Sequence, residues 1–167
     1  TTLNSEKDTV AFTIHAKPVV SLGEDFGFCE GGESVIITAN GGISYLWSTG
    51  QTTNSILISP MTSTTYVVTG TDSNGCKNTD ALNVTIFHKP QGSIPYIPPV
   101  FVDDDLNLSS GVWTNAAVFE WQGPNAYTSN QPNNMIQDVT TDEAGMYYLT
   151  VVSPNDCESV ASVMVTV

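Results

Sequence analysis

The sequence contains no arginine, and its only lysines are Lys7, Lys17, Lys77 and Lys89. Against 17 acidic residues they leave a net charge of −13. From Gln91 onward there are nine acids and no base. Such a surface repels nucleic-acid phosphates and anionic lipid headgroups, which excludes nucleic acid as a partner. Long apolar runs are also lacking. None approaches the roughly 20 residues a helix needs to cross a bilayer, so membrane insertion by a helix is excluded. Charged residues make up only 13% of the chain, and Glu, Lys and Leu are scarce, which argues against a helical bundle.

Catalytic equipment is missing as well. Histidine occurs twice, at His15 and His88, and the second half has no His, Lys or Arg, so no Ser-His-Asp site fits there. No Cys-x-x-Cys or His-x-x-x-His spacing suits zinc. Gly31-Gly32 and Gly41-Gly42 read as turn glycines, not as a phosphate loop. The chain is therefore read as non-enzymatic, with no cofactor beyond the calcium considered below. It opens TTLNSEKD without a leader-like stretch and is read as a fragment of a longer protein.

What is present is β-pattern and repetition. Hydrophobic residues reach 40%, too many for a disordered chain. Apolar and polar residues alternate in SVIITA, SYLWS, SILIS, TYVVTGT and LNVTIF, then in DLNLS, VFEW, MYYLTVV and ASVMVTV. Period two with β-branched and aromatic residues predicts strands half-buried on a core. ANGG, STGQ, DSNG, GPN and SPND between them are turn clusters. The chain is predicted to be all-β and built from small antiparallel β-sandwiches.

YVVTGTDSNGC, Tyr66 to Cys76, returns as YYLTVVSPNDC, Tyr147 to Cys157, 81 residues on. VIIT at Val35–Thr38 matches LNLS at Leu106–Ser109, and YLW at Tyr45–Trp47 matches FEW at Phe119–Trp121. The growing shift places insertions in GVWTNAA and around GPNAYTSNQPNN, in loops. DTVAFTIHAKP, Asp8 to Pro18, matches DALNVTIFHKP, Asp80 to Pro90. Residues 1–17 are thus either the final strand of a preceding repeat or the N-terminal strand of the first domain. The domains are read as 18–89 and 90–167, joined by the Pro-rich, semi-rigid stretch KPQGSIPYIPP.

EAGMYYL, Glu143 to Leu149, resembles the acidic-Ala-Gly-x-Tyr signature of immunoglobulin-like domains. By that resemblance Tyr147, and Tyr66 in the first copy, form tyrosine corners, and Trp47 and Trp121 are the buried core tryptophans. The fold it implies is two tandem immunoglobulin-like sandwiches. The combined pattern of C-x-G-G-x-S-V, Y-L-W-S-T-G, I-S-P-x-T-S-T-T-Y, D-S-N-G-C and W-x-G-P-N-x-Y is similar to PKD-like repeats. These occur in very large secreted and cell-surface proteins of the Bacteroidetes, gliding-motility and adhesin types among them. The resemblance implies an exported module in a long array, with neighbouring repeats of the same chain as its partners. It implies no ligand.

An immunoglobulin core disulfide would sit near Ile37 and Val68, which are apolar here. Cys29 and Cys76 instead fall at the two ends of one copy's strand set, and a disulfide between them is predicted, as suits an exported protein. Cys157 then remains as an unpaired thiol, either bridging to another molecule or buried as a small hydrophobe. Asp103, Asp104 and Asp105 offer hard oxygen ligands for a weak calcium site, or else a charged cover over an edge strand. Trp113, Tyr127 and Tyr96 lie in the inserted loops and the junction. The first two either stack on sugar rings, with Asn115, Asn125, Asn130 and Gln131 nearby, or pack on their own domain.

The leading expectation is a structural and adhesive segment, extracellular or on the cell surface, meeting a surface polysaccharide or another surface protein. The alternatives are a carbohydrate-binding module and an accessory domain of a secreted enzyme.

Overall fold

A computed structural model describes residues 12–167. Its regular structure is almost wholly extended: β1 (Phe26–Cys29), β2 (Val35–Thr38), β3 (Ser44–Trp47), β4 (Ser55–Ile58), β5 (Thr64–Thr71), β6 (Lys77–Phe87), β7 (Gln91–Gly92), β8 (Leu106–Ser109), β9 (Trp113–Thr114), β10 (Val118–Gln122), β11 (Thr128–Ser129), β12 (Asn133–Ile136), β13 (Gly145–Val152) and β14 (Glu158–Val165). The one helical element among the described residues is a 3-10 turn at Thr141–Glu143. The chain divides into two compact units. The first holds the described residues up to Phe26 together with Ser34–Val84, and the second holds Gly27–Glu33 together with Thr85–Val167.

In the first unit β2 pairs with β4, while β3, β5 and β6 are successive neighbours in a second sheet. Alternation decides which side is buried. Tyr66 and Val68 on β5, Leu82 and Val84 on β6, and Trp47 on β3 are buried, as are Ile37, Ile56 and Ile58 on the other sheet. The register sets Trp47 against Val68 and Tyr66 against Leu82. Each strand thus puts a large apolar side chain on the same face at every second residue.

The second unit repeats this plan. β12 pairs with β8, and the larger sheet runs β11-β10-β13-β14. Leu106 and Leu108 of β8 share one core with Trp121 of β10, Tyr147, Leu149 and Val151 of β13, and Val165 of β14. A core drawn from the inner faces of two antiparallel sheets is a β-sandwich. Central strands β10-β13-β14 beside the β8-β12 pair, and β3-β5-β6 beside β2-β4, give the immunoglobulin-like layout in both units.

The segments read as strands from their alternation are strands. The sequence reading missed β1, β7, β9, β11 and β12. Three of these are two residues long, and Asn133–Ile136 has two asparagines where a strand signal wants β-branched residues. The strand expected at residues 1–17 lies mostly outside the described residues, and 12–17 are in no strand. The Pro-rich stretch is not a spacer but part of the second unit: Pro90 and Ile97 are buried, and Gln91–Gly92 pairs with Trp113–Thr114.

Candidate functional site

Cys29 is bonded to Cys157, with a Cα–Cα distance of 5.5 Å, and Cys76 is the free cysteine. This corrects both cysteine expectations, the Cys29–Cys76 bridge and the unpaired Cys157. The physical reason is the placement of Gly27–Glu33. Although these residues precede the first unit's strands, they join the second unit, where the backbone N–H of Glu30 donates to the carbonyl of Phe87 at 2.8 Å. The carboxylate of Glu30 meets His88 Nδ1 at 2.8 Å and accepts from the backbone N–H of Lys89 at 3.0 Å. The hydrogen bond from His88, then that from Lys89, holds the Glu30 carboxyl below its ordinary value. Cys157 is fully buried at the end of the β13–β14 hairpin of the same unit. Matched position in the two copies therefore did not identify the pair.

Trp47 is 2% exposed and Trp121 is 1% exposed, each on the inner face of its unit. The indole N–H of Trp47 donates to the carbonyl of Thr53 at 2.8 Å, whereas that of Trp121 is buried without a partner. Tyr66 and Tyr147 occupy matching buried positions on β5 and β13. The Tyr147 hydroxyl donates to the carbonyl of Glu143 at 3.1 Å, which is the bond that defines a tyrosine corner. The corner is built by a capping box: Thr140 Oγ1 accepts from the N–H of Asp142, and the Glu143 carboxylate accepts from the N–H of Thr140 at 2.8 Å. That backbone hydrogen bond is the largest cause of the lowered Glu143 pKa. Burial, then the charges of Glu143 and Tyr127, raises the pKa of Tyr147. Gly123 lies against the Tyr147 ring; a Cβ there would stand 2.5 Å from it.

The loop aromatics are used internally. Trp113 is half-buried against the second core, and its N–H donates to the carbonyl of Ser110 at 2.7 Å. Tyr127 packs edge-on against Tyr147 with ring centroids 5.7 Å apart. Both rings are half-buried and pack on their own unit. Of the amides named for sugar contacts, Asn115 donates to the carbonyl of His88, Asn125 bonds Glu143, and Asn130 bonds Gln131. Tyr96, in the junction, is exposed.

Asp103, Asp104 and Asp105 line an open depression with Pro99, Val100 and Phe101. Asp103 adopts φ +68°, so the run turns instead of extending, and its backbone N–H donates to the carbonyl of Val139 at 2.9 Å. Among the described residues no group of three or more His, Cys, Asp or Glu could hold a metal ion. The calcium expectation at these three residues is corrected accordingly. A second open groove, about 480 Å3, lies between β10 and β11 and is lined by Glu120, Trp121, Gln122, Thr128, Ser129 and Asn130. Its polar groups are amides, hydroxyls and one carboxylate, with no His, Lys or Cys in the lining.

The sequence reading did not single out the outer face of the larger sheet in the second unit. There Val118 stands opposite Val152, Thr150 opposite Val160, Tyr148 opposite Ser162, and Met146 opposite Met164. Val118, Tyr148, Val160 and Met164 are all exposed, with Glu120 and Glu158 as the charged members of that face. Its signal was visible in MYYLTVV and ASVMVTV, where apolar residues occupy both alternating sets of positions.

The chain matches no protein-family model and no curated protein by sequence. Solved structures similar to it include DIP-gamma IG1+IG2, at 12% identity over 91% of this chain and 99% of that one, with a TM-score of 0.42. Another is the amphioxus IgVJ-C2 molecule, at 15% identity over 84% of this chain and 99% of that one, TM-score 0.43. A third is Sidekick-1 immunoglobulin domains 1-5, at 11% identity over 90% of this chain and 39% of that one, TM-score 0.48. No helix among the described residues is long and apolar enough to cross a membrane.

Proposed function

We propose that this chain is a non-catalytic, extracellular immunoglobulin-like segment that serves as a structural and adhesive module of a secreted or cell-surface protein. The observation that carries the adhesive part is the apolar outer face formed by Val118, Tyr148, Val160 and Met164 on adjacent strands. Exposed apolar groups gathered on one rigid sheet favour contact with another protein surface. The Cys29–Cys157 disulfide supports the location, since such bonds persist in oxidising compartments. The resemblance to repeats of Bacteroidetes surface proteins supports an array, with like repeats on either side and residues 18–89 and 90–167 as the repeating lengths. Catalysis has no support in the grooves described above.

The test has two arms. Intact cells that make the protein are treated with a membrane-impermeant labelling reagent; labelling only after lysis would overturn the location. Purified protein is coated on beads and the beads are flowed over those cells. Attachment that falls several-fold in a Tyr148→Glu, Val160→Glu double variant with unchanged melting supports the adhesive face. Equal attachment of the two proteins, or none by either, removes the adhesive part.

A further inference from the structure

The Cys29–Cys157 bond joins residues 128 positions apart in sequence. Strands β2 to β13, with Trp47 and Trp121, all lie inside the loop it closes. Outside are the 28 residues before Cys29 and the 10 after Cys157. We propose that this bond is a covalent load path that keeps the strands carrying Trp47 and Trp121 out of the line of tension, and that its reduction switches the chain from a short link to a long tether.

The argument is topological. Force entering before Cys29 and leaving after Cys157 crosses from one sulfur to the other, and a covalent bond holds where sheet hydrogen bonds would be peeled. Tension can strip β14 (Glu158–Val165) from β13 and can draw out the residues up to Cys29, but it cannot lengthen the closed loop. At about 3.5 Å per extended residue, the outer segments release at most about 130 Å and the loop a further 450 Å or so. Oxidised and reduced lengths therefore differ roughly fourfold. A Cys29–Cys76 bond would enclose only β2 to β5 and leave β6 to β14 free to extend, so the pairing found here is the one that encloses both tryptophan-bearing strands. The protection does not depend on the adhesive reading, since length under load is a property of the chain.

Cys29 is half-buried and Cys157 fully buried, so the Cys29 side of the bond is the less shielded from an external thiol. With a dithiol reductant, one thiolate attacks Cys29 Sγ and the Cys157 sulfur leaves, taking up a proton. The second reductant thiol then resolves the mixed disulfide. Two protein thiols form, and the reductant ends as its own disulfide, having supplied two electrons and two protons.

The experiment is single-molecule stretching of the whole 167-residue chain between handles at its two ends, with and without dithiothreitol. The reading is the full length between handles at high force, so no variant needs to refold for the measurement to count. The expected result is a release near 130 Å when oxidised and roughly fourfold more after reduction, with Cys29→Ser giving the long release without reductant and Cys76→Ser keeping the short one. A long release from the oxidised protein would overturn the proposal. So would an intermediate release abolished by Cys76→Ser, or a short release that persists once thiol counting shows the bridge open.

Discussion

The hairpins ending at Cys76 and at Cys157 are built to one plan. In the first, the N–H of Asp72 donates to the carbonyl of Cys76 at 3.0 Å; in the second, the N–H of Ser153 donates to that of Cys157 at 2.8 Å. Asp72 Oδ1 accepts from the N–H groups of Asn74 and Cys76, both at 2.8 Å. Ser153 Oγ accepts from those of Asn155 and Cys157 at 3.3 and 3.0 Å. The residue before each cysteine is left-handed, Gly75 at φ +79° and Asp156 at φ +60°. Yet one cysteine is free and the other is bonded and fully buried. Local turn chemistry fixes where each cysteine stands. What it bonds depends on which unit the distant segment Gly27–Glu33 joins. The two tryptophans teach the same lesson: a shorter loop hands Trp47 the carbonyl of Thr53, and the longer one leaves the Trp121 N–H without a partner.

The strongest way to break the cysteine comparison is to remove each sulfur in turn. Cys157→Ser should lower stability by about 5 kcal/mol in the chain-entropy estimate, because the loop it opens is so long. Cys76→Ser should leave the denaturant midpoint within about 0.5 kcal/mol of wild type. Equal losses would show that the two hairpins do not differ as described. For the tryptophans, Trp47→Ala and Trp121→Ala should each cost about 3–5 kcal/mol in chemical denaturation. Phenylalanine separates them. Trp47→Phe gives up a hydrogen bond and leaves the carbonyl of Thr53 unpaired, whereas Trp121→Phe removes a donor that has no partner, so the former should cost about 1–2 kcal/mol more.

A smaller effect tests the corner that Tyr147 makes. Gly123→Ala pushes a methyl group to 2.5 Å from the Tyr147 ring and should destabilise by about 1–3 kcal/mol, whereas Tyr147→Phe loses one hydrogen bond, about 1 kcal/mol. Thermal melts rank the two, and the reverse order would place the strain elsewhere. The smallest effect is electrostatic. The Glu143 carboxyl is held below its ordinary 4.5, so its contribution is fully present above that value and is lost as pH falls through the lower folded value. The melting difference between wild type and Glu143→Gln should therefore shrink as pH drops from about 5 towards 3. A difference that grows on acidification would contradict the capping box.

Much of the architecture could be read from period alone, because a half-buried strand must alternate and Tyr66, Val68, Leu82 and Val84 do. The repeat also located the matched strands in both halves. The short edge pairs were hidden, since two residues carry no period. The Asp103–Asp105 run forms no group able to hold a metal ion, and adjacency in sequence could not show that. That Trp113 and Tyr127 pack against their own core was not legible, because neither composition nor loop position shows whether an aromatic covers its own core. The cysteine pairing was the least legible. Nothing in the residues Gly27–Glu33 says that they associate with Thr85–Val167 and not with the strands that follow them directly.

That association sets an order of events for a chain made from its N-terminus. Gly27–Glu33 leaves the ribosome early and has to wait while Ser34–Val84 is synthesised and folds, and then until Cys157 emerges, before its covalent partner exists. Any oxidant met in that interval finds Cys76 before Cys157. The first bridge to form is open to error, and fast, faithful maturation of this protein calls for thiol exchange late in its folding.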